Sequence, residues 1–238
     1  IRSNKGVVFT KEGEYLFHQA QLYLQFRSGI ERRMEAFKQE GSGMVRVASS
    51  VTFAKQHLPG LILEFQKAYP NVSFDIQTDK SHYLTKFLTD GTSDLAFVRG
   101  NYDCELYKRR IMAERAYVVS ARPVKKEDFL SGCRVDCIMG DSSRRLLEMW
   151  WNQNFKELPS SMVTVRFVDI AWELVQQGVG YTLGFFDSEK LAQSGLWYKE
   201  INYGDGTPVE RGTWLIYSKE TKKTDFTQAF IDLVERWF

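Results

Sequence analysis

From Met44 to the C terminus, short apolar runs alternate with segments whose apolar residues recur every three or four positions, and few architectures accommodate that alternation. Residues 44–48 read as a strand. Leu58, Leu61, Ile62, Phe65 and Ala68 share one helical face, with Pro59 tolerated in the first turn. Tyr69-Pro70-Asn71 stops that helix, and Val72, Phe74 and Ile76 then alternate with polar residues as a strand does. Leu84, Phe87 and Leu88 mark a short helix closed by Asp90-Gly91, and residues 94–98 read as a buried strand. The second half repeats the theme without repeating the sequence. Residues 135–139, 163–167, 181–185 and 214–217 read as strands. Leu146, Leu147, Trp150 and Trp151 line one helix, and Ile170, Ala171, Leu174 and Val175 another, with Gly178 at its C-terminal cap. Phe226, Phe230, Leu233, Val234 and Trp237 form a final amphipathic helix. The expected class is α/β, a parallel sheet with helices on both faces.

The segment before this pattern is different. Residues 10–40 contain no proline, Thr10 can cap a helix start, and Glu12 and Glu14 suit its positive end. Leu16, Tyr23, Ile30 and Phe37 fall seven residues apart, with Phe26 and Met34 widening the stripe, while Glu31, Arg32, Glu35 and Lys38 occupy the opposite face. An apolar seam of that period predicts a long helix packing on a second helix, the alternative being an amphipathic helix lying on its own domain. Gly41-Ser42-Gly43 ends it and supplies a joint.

Composition excludes several classes. A net charge of +2 on 238 residues argues against a nucleic-acid footprint over the whole surface. Cys104, Cys133 and Cys137 are odd in number and fit reduced thiols; Cys133 and Cys137 have no further soft ligand near in sequence, so no metal is expected. No run is long enough to cross a bilayer, and residues 1–10 hold no apolar signal core, so the expected compartment is the cytoplasm.

In a parallel sheet, ligands bind beyond the carboxyl ends of the strands. The loops there carry Ser49-Ser50, Thr78-Asp79, Arg99-Gly100, Asp141-Ser142-Ser143 and Val168-Asp169. Hydroxyls can bond a ligand, helix starts favour anions, and Arg99 can grip a carboxylate bidentately. The alternative roles are helix caps for the hydroxyls and a structural ion pair for Arg99. No cofactor is expected. The three histidines, His18, His57 and His82, are scattered. One enzyme pattern stands out: Gly140-Asp141-Ser142 follows a strand as in GDS-type esterases, and Asp79-Lys80-Ser81-His82 has their Asp-x-x-His spacing. That family places the serine first and the Asp-x-x-His last, the reverse of the order here.

The pieces taken in order resemble one family. Arg2, Gly6-Val7-Val8-Phe9-Thr10, Glu12-Gly13 and Leu16 look like the end of a winged helix-turn-helix running into a linker helix. Gly43-Met44-Val45-Arg46-Val47-Ala48-Ser49 resembles an opening regulatory strand, and Leu58-Pro59, Leu61, Phe65 and Tyr69-Pro70-Asn71-Val72 its first helix and turn. Leu88, Gly91 and Asp94-Leu95-Ala96 match a "g-x-x-D-l-a" signature, and Val175, Gly178-Val179-Gly180 and Tyr181 a late "G-x-G-i" turn. Together they resemble the LysR-type bacterial transcription regulators. Ser81 stands where that family often has Gly.

The resemblance implies two Rossmann-like lobes of the type II periplasmic-binding-protein kind behind an N-terminal linker helix. Residues 1–9 would be a remnant of the wing, with Arg2 and Lys5 once facing the DNA backbone. Residues 10–42 would form the linker, dimerising through Leu16, Tyr23, Ile30 and Phe37 into a homodimer or tetramer. Residues 43–118 and 217–238 would form the first lobe and 119–216 the second, the chain crossing near Val118-Val119 and Ile216-Tyr217. A small-molecule effector, a carboxylate by the hint of Arg99, would sit between them against Ser49, Ser50, Thr78, Arg99, Phe167 and Val168, the last two favoured mainly by the resemblance. Promoter DNA would be bound by a domain ahead of Ile1, and the chain itself would be no enzyme. A transporter's solute-binding protein, which shares the two-lobed fold, is the alternative.

Overall fold

The computed structural model describes residues 2–3, 6–7, 9–36, 43–218 and 225–238. Two short strands, β1 (Arg2–Ser3) and β2 (Gly6–Val7), pair antiparallel and lead into α1 (Lys11–Ala36). Thr10 caps the helix as its sequence suggests: Oγ1 accepts a hydrogen bond from Gly13 N at 3.1 Å. Leu16 and Tyr23 are 68 % and 65 % exposed, and Phe26 and Ile30 are also exposed, so this chain buries little of the predicted seam by itself. Phe37 and Lys5 lie outside the described residues.

The remaining elements build one sheet with helices on both faces. In chain order they are β3 (Gly43–Ser49), α2 (Val51–Gln56), α3 (Leu58–Ala68), β4 (Val72–Thr78), α4 (Ser81–Thr89), β5 (Leu95–Arg99), β6 (Tyr107–Ser120), α5 (Asp128–Ser131), β7 (Cys133–Cys137), α6 (Asp141–Asn154), β8 (Ser161–Val165), α7 (Val168–Gln176), β9 (Tyr181–Phe185), α8 (Ser188–Gln193), β10 (Trp197–Glu200), β11 (Glu210–Tyr217) and α9 (Asp225–Trp237). The strand order is β4-β3-β5-β11-β6-β9-β7-β8, with β10 also on β6.

The expectation of a parallel sheet needs correction. β3, β4 and β5 are mutually parallel, as are β7, β8 and β9, but β11 runs antiparallel to both β5 and β6, and β6 antiparallel to β9 and β10. The reason is topological. The chain passes from one parallel group to the other and back, and β6 and β11 are the two crossings, running side by side in opposite directions.

Side-chain alternation divides the core. On β3, Val45 and Val47 pack with Leu61 and Phe65 of α3 and Phe230 and Val234 of α9, whereas Ala48 packs with Leu84 and Leu88 of α4 on the other face. On β6, Ala116 and Val118 pack with Leu147 and Trp150 of α6, and Tyr117 and Val119 with Ala171, Val175 and Leu191. Leu215 and Tyr217 of β11 join the cluster of Val45, together with Ile111 of β6. Packing therefore changes sides between Ile111 and Ala116 on β6, a few residues before the Val118-Val119 step read from the sequence. Each fully buried side chain of this size stabilises the fold by about 1.5–3 kcal/mol.

Two of the quoted motifs have a physical explanation here. Gly91, at φ +67°, offers its carbonyl to Arg46 Nη1 at 2.9 Å, while Asp94 accepts from Arg46 N at 2.9 Å and Nη2 at 2.6 Å. The Gly-x-x-Asp spacing thus holds one buried arginine of β3. Gly178, at φ +81°, terminates α7 in the left-handed conformation. Gly180 serves a different need, since a Cβ there would lie 2.0 Å from the Cys133 carbonyl oxygen.

Candidate functional site

The C-terminal ends of the first three strands of the sheet converge, as the sequence reading required. Ser49 ends β3, is fully buried and donates its hydroxyl to the Ser50 carbonyl at 3.1 Å. Ser50 is the N-cap residue of α2, ties β3 to β5 through Ser50 N to Phe97 O at 3.2 Å, and has a buried hydroxyl with no partner among the described residues. Thr78 pairs in register with Ser49 at the end of β4, with an exposed side chain. Arg99 ends β5, and its backbone N donates to Ser81 Oγ at 3.2 Å. Phe167 and Val168 stand at the start of α7, the first exposed and the second half-buried.

What lies at the centre was missed in the sequence. The carboxylate of Glu114 on β6 is gripped by two guanidinium groups. Arg99 Nε donates to Oε2 at 3.0 Å and its Nη2 to Oε1; Arg211 of β11 donates to Oε2 from Nε at 3.2 Å and from Nη2 at 2.9 Å. All three residues are buried. Arg211 also bonds Ser143 Oγ in the first turn of α6, at 3.3 Å, and stacks 4.5 Å over the Phe185 ring. Arg99 thus makes the ion pair that was its alternative role.

The electrostatics of the cluster are asymmetric: two cations surround one anion. Burial alone would push the Glu114 carboxyl up, but the charges of Arg211 and Arg99 outweigh it and hold the group below the ordinary carboxylate range. Burial, and then repulsion from Arg99, draws Arg211 down to about 10, against the pull of Glu114. Arg211 therefore keeps its proton at neutral pH, and the cluster carries one positive charge in excess.

A signal for these residues existed. Arg211, Thr213, Leu215 and Tyr217 share one phase of β11, and Glu114 shares the phase of Ala116 and Val118 on β6. A charge on the core-facing phase of a strand marks a buried partner.

Two further bonds join elements from opposite sides of the crossing. Asn101 N, just after β5, donates to Ser142 Oγ on α6 at 2.8 Å, and Lys55 Nζ of α2 donates to Asp169 Oδ2 of α7 at 2.6 Å. Gly140 makes room for this approach, since a Cβ there would lie 2.5 Å from the Tyr102 hydroxyl.

The esterase pattern does not assemble. Ser142 Oγ accepts from Asn101 N, the His82 ring packs at a tilt against Tyr83, and Asp79 Oδ1 accepts from Lys80 N; among the described residues no hydrogen bond connects the three. Cys104, Cys133 and Cys137 are free thiols, and no group of three or more metal-ligating side chains occurs among the described residues. Within the same residues, no helix is long and apolar enough to cross a membrane.

Comparison with known proteins places this geometry in context. Residues 38–238 match the family model of the LysR substrate binding domain. The uncharacterized HTH-type transcriptional regulator YraN of Bacillus subtilis is 28% identical over 98% of this chain and 81% of its own length. The full-length LysR-family regulator CbnR, solved with its target DNA, superposes with a TM-score of 0.75 at 17% identity, covering 97% of this chain and 82% of CbnR. The effector binding domain of BenM, solved with its effector benzoate, gives 0.64 at 14% identity, over 82% of this chain and 91% of that domain.

Proposed function

The chain belongs to the LysR substrate-binding-domain family, and on that premise we propose that the seam between its two lobes takes up a small organic anion, a carboxylate in the first instance. The chain is the effector-sensing part of a LysR-type transcription regulator, which sets aside the transporter alternative. The observation that carries the anion reading is the charge of the buried cluster. Arg99 and Arg211 share the single carboxylate of Glu114, so a low-dielectric site keeps an uncompensated positive charge beside the ends of β3, β4 and β5. Such a site favours a monoanion over a neutral ligand.

In this reading the anion meets Arg99 or Arg211, the unpartnered Ser50 hydroxyl and Ser49 supply hydrogen bonds, and Thr78, Phe167 and Val168 flank the entrance. Residues 43 to about 114 with the end of β11 and α9 form one lobe, and the stretch between forms the other. The effector biases the lobes by its difference in affinity for their two arrangements. The exposed seam of Leu16, Tyr23 and Ile30 is covered by a second copy of the chain, in a homodimer or tetramer, and a DNA-binding domain ahead of α1 receives the signal. No chemistry is performed on the effector, and the protein works in the cytoplasm.

A thermal-shift screen of this chain against carboxylates, amino acids and matched neutral amides tests the reading. A carboxylate at 100 times its Kd adds about 2.7 kcal/mol, a rise of about 5–10 °C for a protein of this size. The shift is expected to vanish in Arg211→Gln and in Ser50→Val, each folded by circular dichroism. A neutral amide that stabilises as well as its acid, with the shift retained in Arg211→Gln, would overturn it.

A further inference from the structure

The ion pair between Lys55 and Asp169 has a place in the fold that its strength alone does not suggest. Lys55 is on α2, whose Phe53 is buried with Val45 and Phe97; Asp169 is on α7, whose Ala171 and Val175 are buried with Tyr117 and Val119. The two residues are 114 positions apart, on helices packed into different cores, and their bond, at 2.6 Å, is the one hydrogen bond or ion pair between α2 and α7 among the described residues. Both side chains are open to water, at 68 % and 70 % exposure. Lys55 follows Ser50 and Val51 by one helical turn, and Asp169 directly follows Phe167 and Val168, so the pair stands on the rim of the seam, outside the buried Arg99–Glu114–Arg211 cluster.

We infer that Lys55 and Asp169 form an ionic latch across the mouth of the interlobe seam, which makes the closure of this regulator sensitive to ionic strength. An exposed pair is worth about 0–1 kcal/mol, so it shifts the ratio of closed to open forms by up to about fivefold. That is too weak to weld the lobes and sufficient to bias them. Water reaches both groups, so the bond can break and re-form with little desolvation penalty. The same exposure leaves it open to screening, which grows as the Debye length falls from about 8 Å at 0.15 M salt to about 3 Å at 1 M. Beside the latch, Val51, Phe167 and Ile170 present exposed apolar surface. They are lips that the latch holds opposite one another. The inference rests on the proposed cleft for its consequence in effector binding, but the latch itself needs no effector.

Two measurements on the full chain without effector test it. A zero-length carbodiimide couples an amine to a carboxylate only where the two are in contact, and mass spectrometry of the digest reads the Lys55–Asp169 branched peptide. Its yield is expected to fall severalfold between low salt and 1 M sodium chloride. Amide hydrogen exchange at Asn101, whose N–H bonds Ser142 across the same seam, reads opening directly. Exchange is expected to quicken up to about fivefold in Lys55→Ala and in Asp169→Ala, and to return to the original rate in the doubly swapped Lys55→Asp, Asp169→Lys chain. An absent cross-link, a yield indifferent to salt, or exchange unchanged in both single variants would overturn the latch. Because neither readout depends on a bound organic anion, failure of the anion reading would leave these results untouched, and the reverse.

Discussion

Arg99 and Glu114 are bonded to one another across an intervening strand. β11 lies between β5 and β6, yet Arg99 Nε on β5 is 3.0 Å from Glu114 Oε2 on β6. Thr213 of β11 is paired in register with Arg99, is fully buried, and places its Oγ1 3.5 Å from the same carboxylate oxygen. With Arg211 also on β11, one carboxylate ties together the three strands at which the sheet changes direction. The site proposed for the effector is therefore also the joint of the lobes, so a ligand that competes for one guanidinium changes the joint.

Removing the carboxylate should be costly. Glu114→Ala leaves two guanidinium groups buried side by side, and breaking a buried ion pair from one side costs about 3–5 kcal/mol. Urea denaturation is expected to show a loss of that order, and a loss under 1 kcal/mol would mean that water or a rearranged partner already serves Arg99 and Arg211. An added carboxylate ligand is expected to restore more stability to Glu114→Ala than to the parent chain.

The same group sets a pH dependence. The folded-state pKa of Glu114 is depressed relative to an ordinary, unfolded glutamate, so the native state binds fewer protons than the unfolded state in the acid range. Its stabilising contribution is complete above the unfolded value of about 4.3 and is lost as pH falls through that value toward the folded one. Denaturation midpoints measured from pH 6 to about pH 3 should fall more steeply for the parent chain than for Glu114→Gln. Parallel slopes would remove Glu114 from the acid dependence.

Gly178 and Gly180 should respond differently to the same substitution. Gly178 has open space around its Cβ position but a φ of +81°, so Gly178→Ala should cost about 1–2 kcal/mol through the backbone alone. Gly180→Ala forces a methyl group against the Cys133 carbonyl and must part β9 from β7, at a cost of about 1–3 kcal/mol or more. Thermal denaturation of the two variants distinguishes them: Gly178→Asn should recover part of the loss, because Asn tolerates the left-handed region, and Gly180→Asn should recover none.

The exposed seam of α1 carries the assembly prediction. Tyr23→Asp and Ile30→Asp place charges where the chain presents apolar surface to solvent. Light scattering should show a shift toward monomer, with the far-ultraviolet spectrum little changed. An unaltered mass in both variants would move the subunit contact to another face.

The sequence by itself determined what depends on local periodicity. It determined the α/β class, the long helix with Thr10 as its cap, the three strands that lead into Ser49, Thr78 and Arg99, and the late glycine turn, because each is written in the spacing of neighbouring residues. β6 was not legible: Lys108-Arg109-Arg110 and Glu114-Arg115 interrupt its apolar phase, and the strand exists because β11, about a hundred residues later, supplies its partner. The six-residue α2, with Lys55, was too short for a periodic signal. Only the tertiary structure decided that Glu114 and Arg211 stand beside Arg99, since a buried charge is tolerated where its counter-charge arrives from elsewhere in the chain. Local pattern sets the elements that carry a clear period, while a strand such as β6 and the pairing of charges between elements are properties of the assembled sheet.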